Sequence, residues 1–475
     1  MSYIEGESRE QRIMFPEVLD DYIGEDNVVR FVDAYVDGLE MEELGFKQSA
    51  PKETGRPPYD PRDMLKLYIY GYLNRLRTSR MLERECGRNV ELMWLMRKLR
   101  PDFKTIADFR KENRKTFKGV FRDFVLLCKQ MGLVGGELVA VDGSKFKAVN
   151  SGRKNFNEKR LKERVKEIDK KVERYLDEMD RRDQQQSTSR EITAAELKEK
   201  IERLKQRKGQ YEELLKELKA RGEKQISLTD GDSRAMALSP RGEVSYNVQT
   251  VVDSTYHLIV DQDVTNDPLD NHHLLLMAKS AKQIVGQGEL RVVADMGYYD
   301  QEELKACEDA GIRAYVSKPI TSKNTARGLF GKEKFVYEAD RDCYRCPAGE
   351  RLDFHFESEK DGRKFRYYWT KACPSCALKA QCSTDPRFHR IKRWEHETVL
   401  DRIAERVRSH PQIMKLRMQI VEHPFGTMKF WNHQRHFLLK GLDKVKGEFS
   451  LSTLVYDIKR AINILGVKAL IAALP

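Results

Sequence analysis

The fold of this chain is decided by one stretch, Leu138-Val139-Ala140-Val141-Asp142-Gly143-Ser144-Lys145-Phe146-Lys147-Ala148. Its four leading apolar residues, two of them valines, predict a short buried strand, and Gly143 allows a turn directly after Asp142. We therefore expect Asp142 at the end of the strand. A rigid carboxylate there suits a divalent metal, and lysines beside it suit an anionic substrate. Taken alone, the stretch is better explained as an ordinary Asp-Gly turn.

Length, charge and hydropathy define the class of protein. A chain of 475 residues exceeds what one hydrophobic core usually serves, so we expect about two to four substructures. The net charge of +12 points to a polyanion such as nucleic acid, although many solvated surfaces are also basic. The chain opens without a signal-peptide pattern and has no stretch of about eighteen apolar residues. These features predict a soluble, cytoplasmic protein that does not contact a membrane.

The first 132 residues predict a basic helical domain. Apolar spacing predicts helices near residues 27–39, 60–76 and 105–131, with a Pro/Gly-rich linker at 49–58. Arginines punctuate this block, and we assign Arg75, Arg80 and Arg84 to contact with DNA ends. A helical bundle with ordinary solvated faces is an equal alternative, because no base-reading residue can be identified.

Residues 155–225 differ sharply from their surroundings. Charged residues dominate, and apolar residues recur in steps of four and three on both sides of a polar loop at 183–190. This pattern predicts an antiparallel helical hairpin. It contains no pattern of catalytic residues, so we interpret it as an insertion that projects from the core or pairs with another subunit.

A sheet is predicted to resume after this insertion. Strand-like segments occur at residues 246–253, 258–264, 290–294 and 314–316, with helical segments at 271–285 and 304–310. This order is typical of an α/β protein with mixed sheet pairing. The segment at 290–294 ends, like the first strand, in a carboxylate followed closely by glycine, here Asp295 and Gly297.

Two strand-borne aspartates and one further carboxylate are a sufficient minimum for a two-metal phosphoryl-transfer site. Asp142 and Asp295 supply the pair, and the best candidate for the third acid is Glu422. Glu422 follows a predicted helix, and Lys429 lies two turns further on if that helix continues past Pro424. Taken alone, Glu422 is a surface glutamate and Asp295 a turn residue.

Together, these segments resemble bacterial insertion-sequence transposases of the DDE class, whose catalytic core is RNase H-like. The similar segments are residues 140–144, 294–299 and 421–426, with further similarity at 232–234 and 246–249. The resemblance covers about residues 20–470. In related transposases the third acid stands in a tyrosine-arginine-glutamate-lysine pattern. Lys415 and Met418 occupy the first two places here, whereas Glu422 and Lys429 fit the pattern.

This resemblance implies a DNA-cleaving and strand-transferring enzyme. The ligands of catalytic Mg²⁺ or Mn²⁺ would be Asp142, Asp295 and Glu422, and Mg²⁺ suits an all-carboxylate set. The DNA contacts beside these acids would be Lys145, Lys147 and Lys429. At most one of the first two lysines is expected to touch a phosphate, because they share a face only if the strand continues past Gly143.

The resemblance also implies the partners. These are double-stranded DNA, as transposon ends and as target, and further copies of the chain in a dimer or higher assembly. Binding to DNA would place the protein at the bacterial nucleoid. The alternatives are another RNase H-like nuclease and a catalytically inactive, domesticated DNA-binding regulator.

Five of the eight cysteines fall within residues 343–382, which in an intracellular chain indicates metal ligation rather than disulfides. A closed zinc site takes four ligands. Spacing alone favours the two CxxC pairs and leaves out Cys382. The resemblance favours Cys346, Cys373, Cys376 and Cys382, with Cys343 as the alternate. Reduced, unligated cysteines are the remaining possibility. Basic and aromatic residues interleave around them on apparent strands, a pattern that suits DNA binding and hairpin packing equally.

The expected fold is therefore α/β, with an RNase H-like mixed-sheet catalytic core, an N-terminal helical domain and two insertions. The N-terminal domain spans residues 1–132, and the first part of the core spans 133–154 and 226–335. A helical-hairpin, or coiled-coil, insertion occupies 155–225, and a small Cys-rich zinc-binding insertion occupies 336–392. Residues 393–475 complete the core with the third acid and closing helices.

Overall fold

The structure is a computed structural model and describes residues 18–49, 57–150, 154–184, 194–236, 243–286, 288–319 and 323–474. Most of the predicted linker at 49–58 and of the predicted polar loop at 183–190 lies outside these ranges. No helix within them is long and apolar enough to cross a bilayer.

The described N-terminal helices are α1 (Val28–Asp37), α2 (Pro61–Leu73), α3 (Ser79–Cys86), α4 (Val90–Leu95), α5 (Phe103–Glu112) and α6 (Phe117–Gln130). The single helix predicted over 105–131 is wrong, since α5 and α6 are separate. Asn113 lies between them: its side chain donates to the carbonyl of Phe109 at 3.0 Å and accepts from the N–H of Lys47 at 2.7 Å. These bonds favour a helix end over a helix interior.

After α6 the chain forms β1 (Leu138–Lys147) and then a hairpin unit made of β2 (Asn155–Asn157), α7 (Glu158–Gln184), α8 (Ala194–Ala220) and β3 (Gln225–Ser227). The helices α7 and α8 lie antiparallel around a small apolar cluster. Lys208, which interrupts the apolar repeat, has its Nζ 2.7 Å from a carboxylate oxygen of Asp169 across the hairpin.

The main sheet is completed by β4 (Arg234–Met236), β5 (Glu243–Asp253), β6 (Ile259–Thr265), β7 (Leu290–Ala294) and β8 (Ile312–Val316), with α9 (Leu274–Val285) and α10 (Gln301–Asp309) between strands. The strand order is β4-β5-β1-β7-β8, and β6 also pairs with β5. The strand β5 is antiparallel to β1 and β6, whereas β7 is parallel to β1 and β8. This confirms the predicted α/β class with mixed pairing.

A second, antiparallel sheet carries the cysteine-rich region. Its elements are α11 (Lys323–Ala326), β9 (Val336–Glu338), β10 (Cys343–Arg345), β11 (Arg351–Lys360), β12 (Arg363–Trp369), α12 (Lys379–Cys382) and β13 (Ile391–Trp394). The strand order is β13-β12-β11-β10-β9. One face buries Tyr344, Leu352 and Tyr368 in a small core of its own.

The C-terminal helices are α13 (Glu397–Ser409), α14 (Pro411–Gly426), α15 (Leu442–Leu465) and α16 (Val467–Ala472). The closing helix predicted over 450–474 begins earlier and is interrupted at Gly466, whose φ of 81° is left-handed. The helix α15 packs between the N-terminal helices α2 and α6 and strand β6. The helical N-terminal region and the main sheet therefore share one continuous hydrophobic core.

Asp457 is a fully buried acid on α15. One of its oxygens accepts the N–H of Ile259 at 2.9 Å, and the other has no hydrogen-bond partner among the described residues. Burial raises the pKa of this carboxyl well above its usual 3.8. Above pH 3.8 the folded protein therefore retains a proton at Asp457 that the unfolded chain has already released.

We expect this acid to make the free energy of unfolding fall as pH rises above 3.8, until the folded-state pKa is passed. The slope has a ceiling of about 1.4 kcal/mol per pH unit for one proton. Asp457→Asn removes the titration, so urea denaturation at several pH values should show a stability gain over the parent that grows with pH. A difference that is constant over this range would contradict the assignment.

Candidate active site

Asp142 lies inside a long strand rather than at its end. Strand β1 continues through Gly143 to Lys147, because β5 pairs with it on both sides of that glycine. The predicted turn at Gly143 is therefore wrong. The parallel partner β7, however, stops at the pair formed by Val141 and Ala294. Asp142 is thus the first residue of β1 beyond the end of β7.

Asp295 directly follows β7, level with Asp142 on the neighbouring strand. Its Oδ1 accepts the N–H of Gly297 at 2.8 Å, which fixes the turn after the strand. Burial raises the pKa of Asp142 to about 6, the Arg417 guanidinium opposes this rise, and the Asp295 carboxylate adds to it. The two acids therefore lie close enough to repel each other.

Asp270 is a further carboxylate at the same site. It accepts hydrogen bonds from Lys145 Nζ at 3.3 Å, Asn247 Nδ2 at 2.6 Å and Gln249 Nε2 at 2.8 Å. A Cβ at Gly143 would lie 2.6 Å from both Asp270 Oδ1 and the Gln249 amide nitrogen. Glycine at this position leaves the room that the network needs.

Two basic side chains approach strand β1. One comes from α14 and the other from the π-helical segment that follows it, Thr427–Trp431. Arg417 has its Nη1 3.5 Å from Oδ1 of Asp142. Lys429 donates to Ser144 Oγ at 2.6 Å and to the carbonyl of Lys145 at 3.1 Å. Burial lowers the pKa of Lys429, and the carboxylate of Asp142 counteracts this. Positive charge is therefore concentrated on the acid-bearing part of β1.

Glu422 lies on α14, which packs on β1 and β7. Its side chain is exposed, and within the described ranges no hydrogen bond or ion pair joins it to another residue. It follows Arg417 by five positions, which turns it away from the arginine's side of the helix. The structure thus brings Asp142 and Asp295 together, but it does not join Glu422 to either of them.

The remaining lysine of the opening stretch, Lys147, is exposed, with its Nζ 3.7 Å from Glu243. Because β1 continues past Gly143, Lys145 and Lys147 share one face of the strand. The expectation that β1 ends at Gly143, which would have placed the two lysines on different faces, is therefore wrong. Only Lys145 is held at the site, by Asp270.

The three arginines assigned to DNA contact are exposed and lie around α3. Arg75 has its Nη1 3.4 Å from the His433 ring. The guanidinium of Arg80 lies 5.2 Å from the centre of the Phe103 ring. Arg84 has its Nε 3.5 Å from Glu85, and its side chain is 58% exposed. All three are therefore accessible to a polyanion.

Four cysteines line one cavity: Cys346, Cys373, Cys376 and Cys382. Burial and the neighbouring thiols of Cys373, Cys346 and Cys376 raise the pKa of Cys382 to about 11. The fifth, Cys343, is buried elsewhere, with its Sγ 3.6 Å from Glu338. This grouping matches the set that the family resemblance favoured over the one that spacing alone favoured.

The cavity also includes His389, whose Nδ1 lies 3.1 Å from the Sγ of Cys382. In the described part of the chain, however, no three Cys, His, Asp or Glu side chains are already arranged to hold a metal ion. This holds for the cysteines and for the carboxylates alike.

Sequence reasoning missed two charged residues of the site. Arg417 stands one position before Met418, the residue at the arginine place of the family pattern, so the displaced arginine was the available signal. Asp270 stands in a polar run before α9 that is typical of a helix start, and no local signal distinguishes it. Its role depends on pairing between β1 and β5, which the sequence does not display.

Comparisons with known proteins match two segments of the chain to transposase families. The family described as "Transposase domain (DUF772)" matches residues 17–112, and the family described as "Transposase DDE domain" matches residues 345–462. No curated protein matches the chain significantly. A solved piggyBac transposase synaptic complex with hairpin DNA is 8% identical over 92% of this chain and 81% of that chain. Its TM-score of 0.27 is too low to support a structural argument.

Proposed function

Because the chain belongs to the insertion-sequence DDE transposases, we propose that it binds the terminal inverted repeats of its own element, cuts them and joins them to target DNA. The observation that carries the proposal is the level placement of Asp142 and Asp295 on paired parallel strands. We include Glu422 as the third acid, on the helix that packs against both strands.

The chemistry of these residues suits a divalent cation. Burial raises the pKa of Asp142 to about 6, and repulsion from the carboxylates of Asp295 and Asp270 adds to that rise. Bound cations would relieve that repulsion. We assign Asp142, Asp295 and Glu422 to holding Mg²⁺ or Mn²⁺, which supplies an activated nucleophile and stabilises the leaving oxygen of a phosphodiester.

The basic residues at the site would orient the DNA. Arg417 now neutralises Asp142, and a metal ion there would free its guanidinium for a phosphate. Lys429 is fixed by Ser144 and can approach the scissile backbone with little loss of side-chain entropy. Lys145 would act through Asp270, whereas the exposed Lys147, beside Glu243, would contact a phosphate directly. Arg75, Arg80 and Arg84 would contact the transposon end.

The remaining parts of the proposal concern architecture. Three antiparallel strands, β6-β5-β1, followed by the parallel β7 and β8, suit an RNase H-like core. We assign the hairpin of α7 and α8 to a coiled-coil insertion. Pairing of two ends requires two active sites, so we propose a dimer or higher assembly on DNA at the bacterial nucleoid.

The function is tested with purified protein and a labelled DNA fragment that carries the inverted repeat flanking the gene. We expect a nick at the repeat's end in Mg²⁺, none in EDTA, and none in a scrambled fragment of equal length. Loss of specificity with retained cleavage would support another nuclease. Specific binding with no cleavage in Mg²⁺ or Mn²⁺ would support the inactive regulator.

We further propose a structural Zn²⁺ site at Cys346, Cys373, Cys376 and Cys382. Four thiols around one cavity form a donor set that zinc prefers. Zinc, when bound, would hold these cysteines as thiolates. The site would stabilise the junction between β10 and α12.

Zinc analysis of purified protein should find about one ion per chain. Cys382→Ser should lower that content and the melting temperature of the protein, because one ligand is lost. Cys343→Ser is the matched control and should retain the metal, since this thiol lies outside the cavity. Equal zinc content in both variants would contradict the assigned ligand set.

A further inference from the structure

One face of the cysteine-rich sheet carries an accessible group of rings, which we call the aromatic patch: His355, Phe356, Tyr367, Trp369, Phe388 and Arg390. Phe356 opposes Tyr367 across β11 and β12, and their rings stack with centres 4.7 Å apart. The rings of His355 and Trp369 stack at 3.4 Å, and those of Trp369 and Phe388 at 5.2 Å. Phe356 is 39% exposed despite these contacts.

Arg390 stands at the centre of the aromatic patch. Its guanidinium lies 5.3 Å from the ring centres of Trp369 and Phe388 and 5.9 Å from those of Phe356 and Tyr367. The side chain is exposed, and no carboxylate in the described ranges pairs with it. The patch therefore combines the exposed ring of Phe356 with a positive charge that lacks an acidic partner in the described ranges.

The opposite face of the same sheet provides a contrast. Phe354 is 38% exposed and lies under Arg366 at 4.4 Å, so its ring and cation resemble those of the patch. Arg366, however, is paired with Asp342 at 2.8 Å and Glu357 at 3.2 Å. Its charge is already neutralised, whereas that of Arg390 is not.

The aromatic patch lies on the same face of the sheet as the residues that pack against the main core. Phe365 and Trp394, paired on the same face, are buried there. Arg363, at the start of β12, pairs with Glu302 on α10, the helix that follows the Asp295 turn. The sheet that carries the patch therefore packs directly against the core that carries the acids.

We propose that the aromatic patch binds unpaired nucleotides of a DNA strand, with a base stacked on Phe356 and a phosphate bound by Arg390. Base faces are hidden within a duplex, so open rings select for unpaired bases, and each stacked base adds appreciably to affinity. The proposal rests on the proposed function, which supplies DNA as the substrate, and assigns the second sheet a role in holding a separated strand.

Binding of a fluorescent single-stranded thymidine oligonucleotide to the full chain, followed by anisotropy, tests the proposal. We expect Phe356→Ala and Arg390→Gln each to weaken binding about tenfold. The arginine variant should also reduce the dependence of binding on salt. Phe354→Ala, the matched control, should change affinity by less than about twofold.

Equal losses in the Phe356→Ala and Phe354→Ala proteins, or no loss in either, would overturn the proposal. Cleavage of the repeat-carrying duplex separates this result from the proposed function. A chain that cleaves ends but does not bind the oligonucleotide overturns the patch and leaves the transposase assignment intact. A chain that binds the oligonucleotide through Phe356 without cleaving ends supports the patch and contradicts the transposase activity.

Discussion

Asp142→Asn is expected to lower the rate of metal-dependent cleavage of the transposon end by about a thousandfold or more. The substitution keeps the shape of the side chain but removes the negative charge that a divalent cation needs. Cleavage is measured from labelled repeat DNA under single-turnover conditions. Asp295→Asn should cause a comparable loss, and the double variant should add little, because both acids act through the same ions.

The folded state should tolerate this change. Burial and neighbouring acids make ionisation of Asp142 unfavourable and outweigh the ion pair with Arg417, so an uncharged side chain removes more repulsion and desolvation cost than attraction. We expect an unchanged or higher melting temperature and unchanged binding to the repeat. Asp263→Asn is the control: this acid lies on β6 and pairs with Lys446 at 2.8 Å. Full cleavage by the Asp142→Asn protein would remove Asp142 from the catalytic residues.

The sequence permitted prediction of the site's two acids because each is attached to a strand. The apolar runs before Asp142 and Asp295 place both strands in the core, and parallel pairing brings the two acids level. The position of a residue relative to its own strand can be read from nearby sequence, because apolar runs mark the strand and a following glycine marks a turn.

Other parts of the site depend on contacts between distant segments. Strand β1 passes through Gly143 because β5 supplies hydrogen bonds beyond the point where β7 ends. Asp270 joins the site through Asn247 and Gln249, and Arg417 does so through packing of α14 on β1. None of these pairings has a local signature, so the sequence could not distinguish Asp270 from any helix-capping acid.

Glu448→Ala is expected to lower the free energy of unfolding by about 3–5 kcal/mol, the typical cost of removing one partner from a buried ion pair. Glu448 is completely buried on α15 and accepts from Arg77 Nη2 at 2.8 Å. It also accepts the N–H groups of Leu438 and Leu439 at 3.0 Å. Alanine would leave a buried guanidinium and two partly buried N–H donors without this acceptor.

The ion pair between Arg77 and Glu448 affects more than its own surroundings because it joins three parts of the chain. Arg77 lies between α2 and α3 and also donates to the carbonyl of His436 at 2.8 Å. The adjacent Arg435 and Phe437 exchange backbone hydrogen bonds with Lys147 at the end of β1. Loss of Glu448 should therefore loosen the segment that connects the N-terminal helices to the acid-bearing strand.

Urea denaturation measures the loss, and two comparisons isolate its cause. Glu25→Ala breaks the fully exposed pair with Lys468 and should have no detectable effect, because solvent screens that pair. Combining Glu448→Met with Arg77→Met should destabilise the fold less than the sum of the single changes, since the double variant buries no unpaired charge. Strict additivity would mean that each residue acts by packing alone. The charge pair would then not be what joins the helical region to the main sheet.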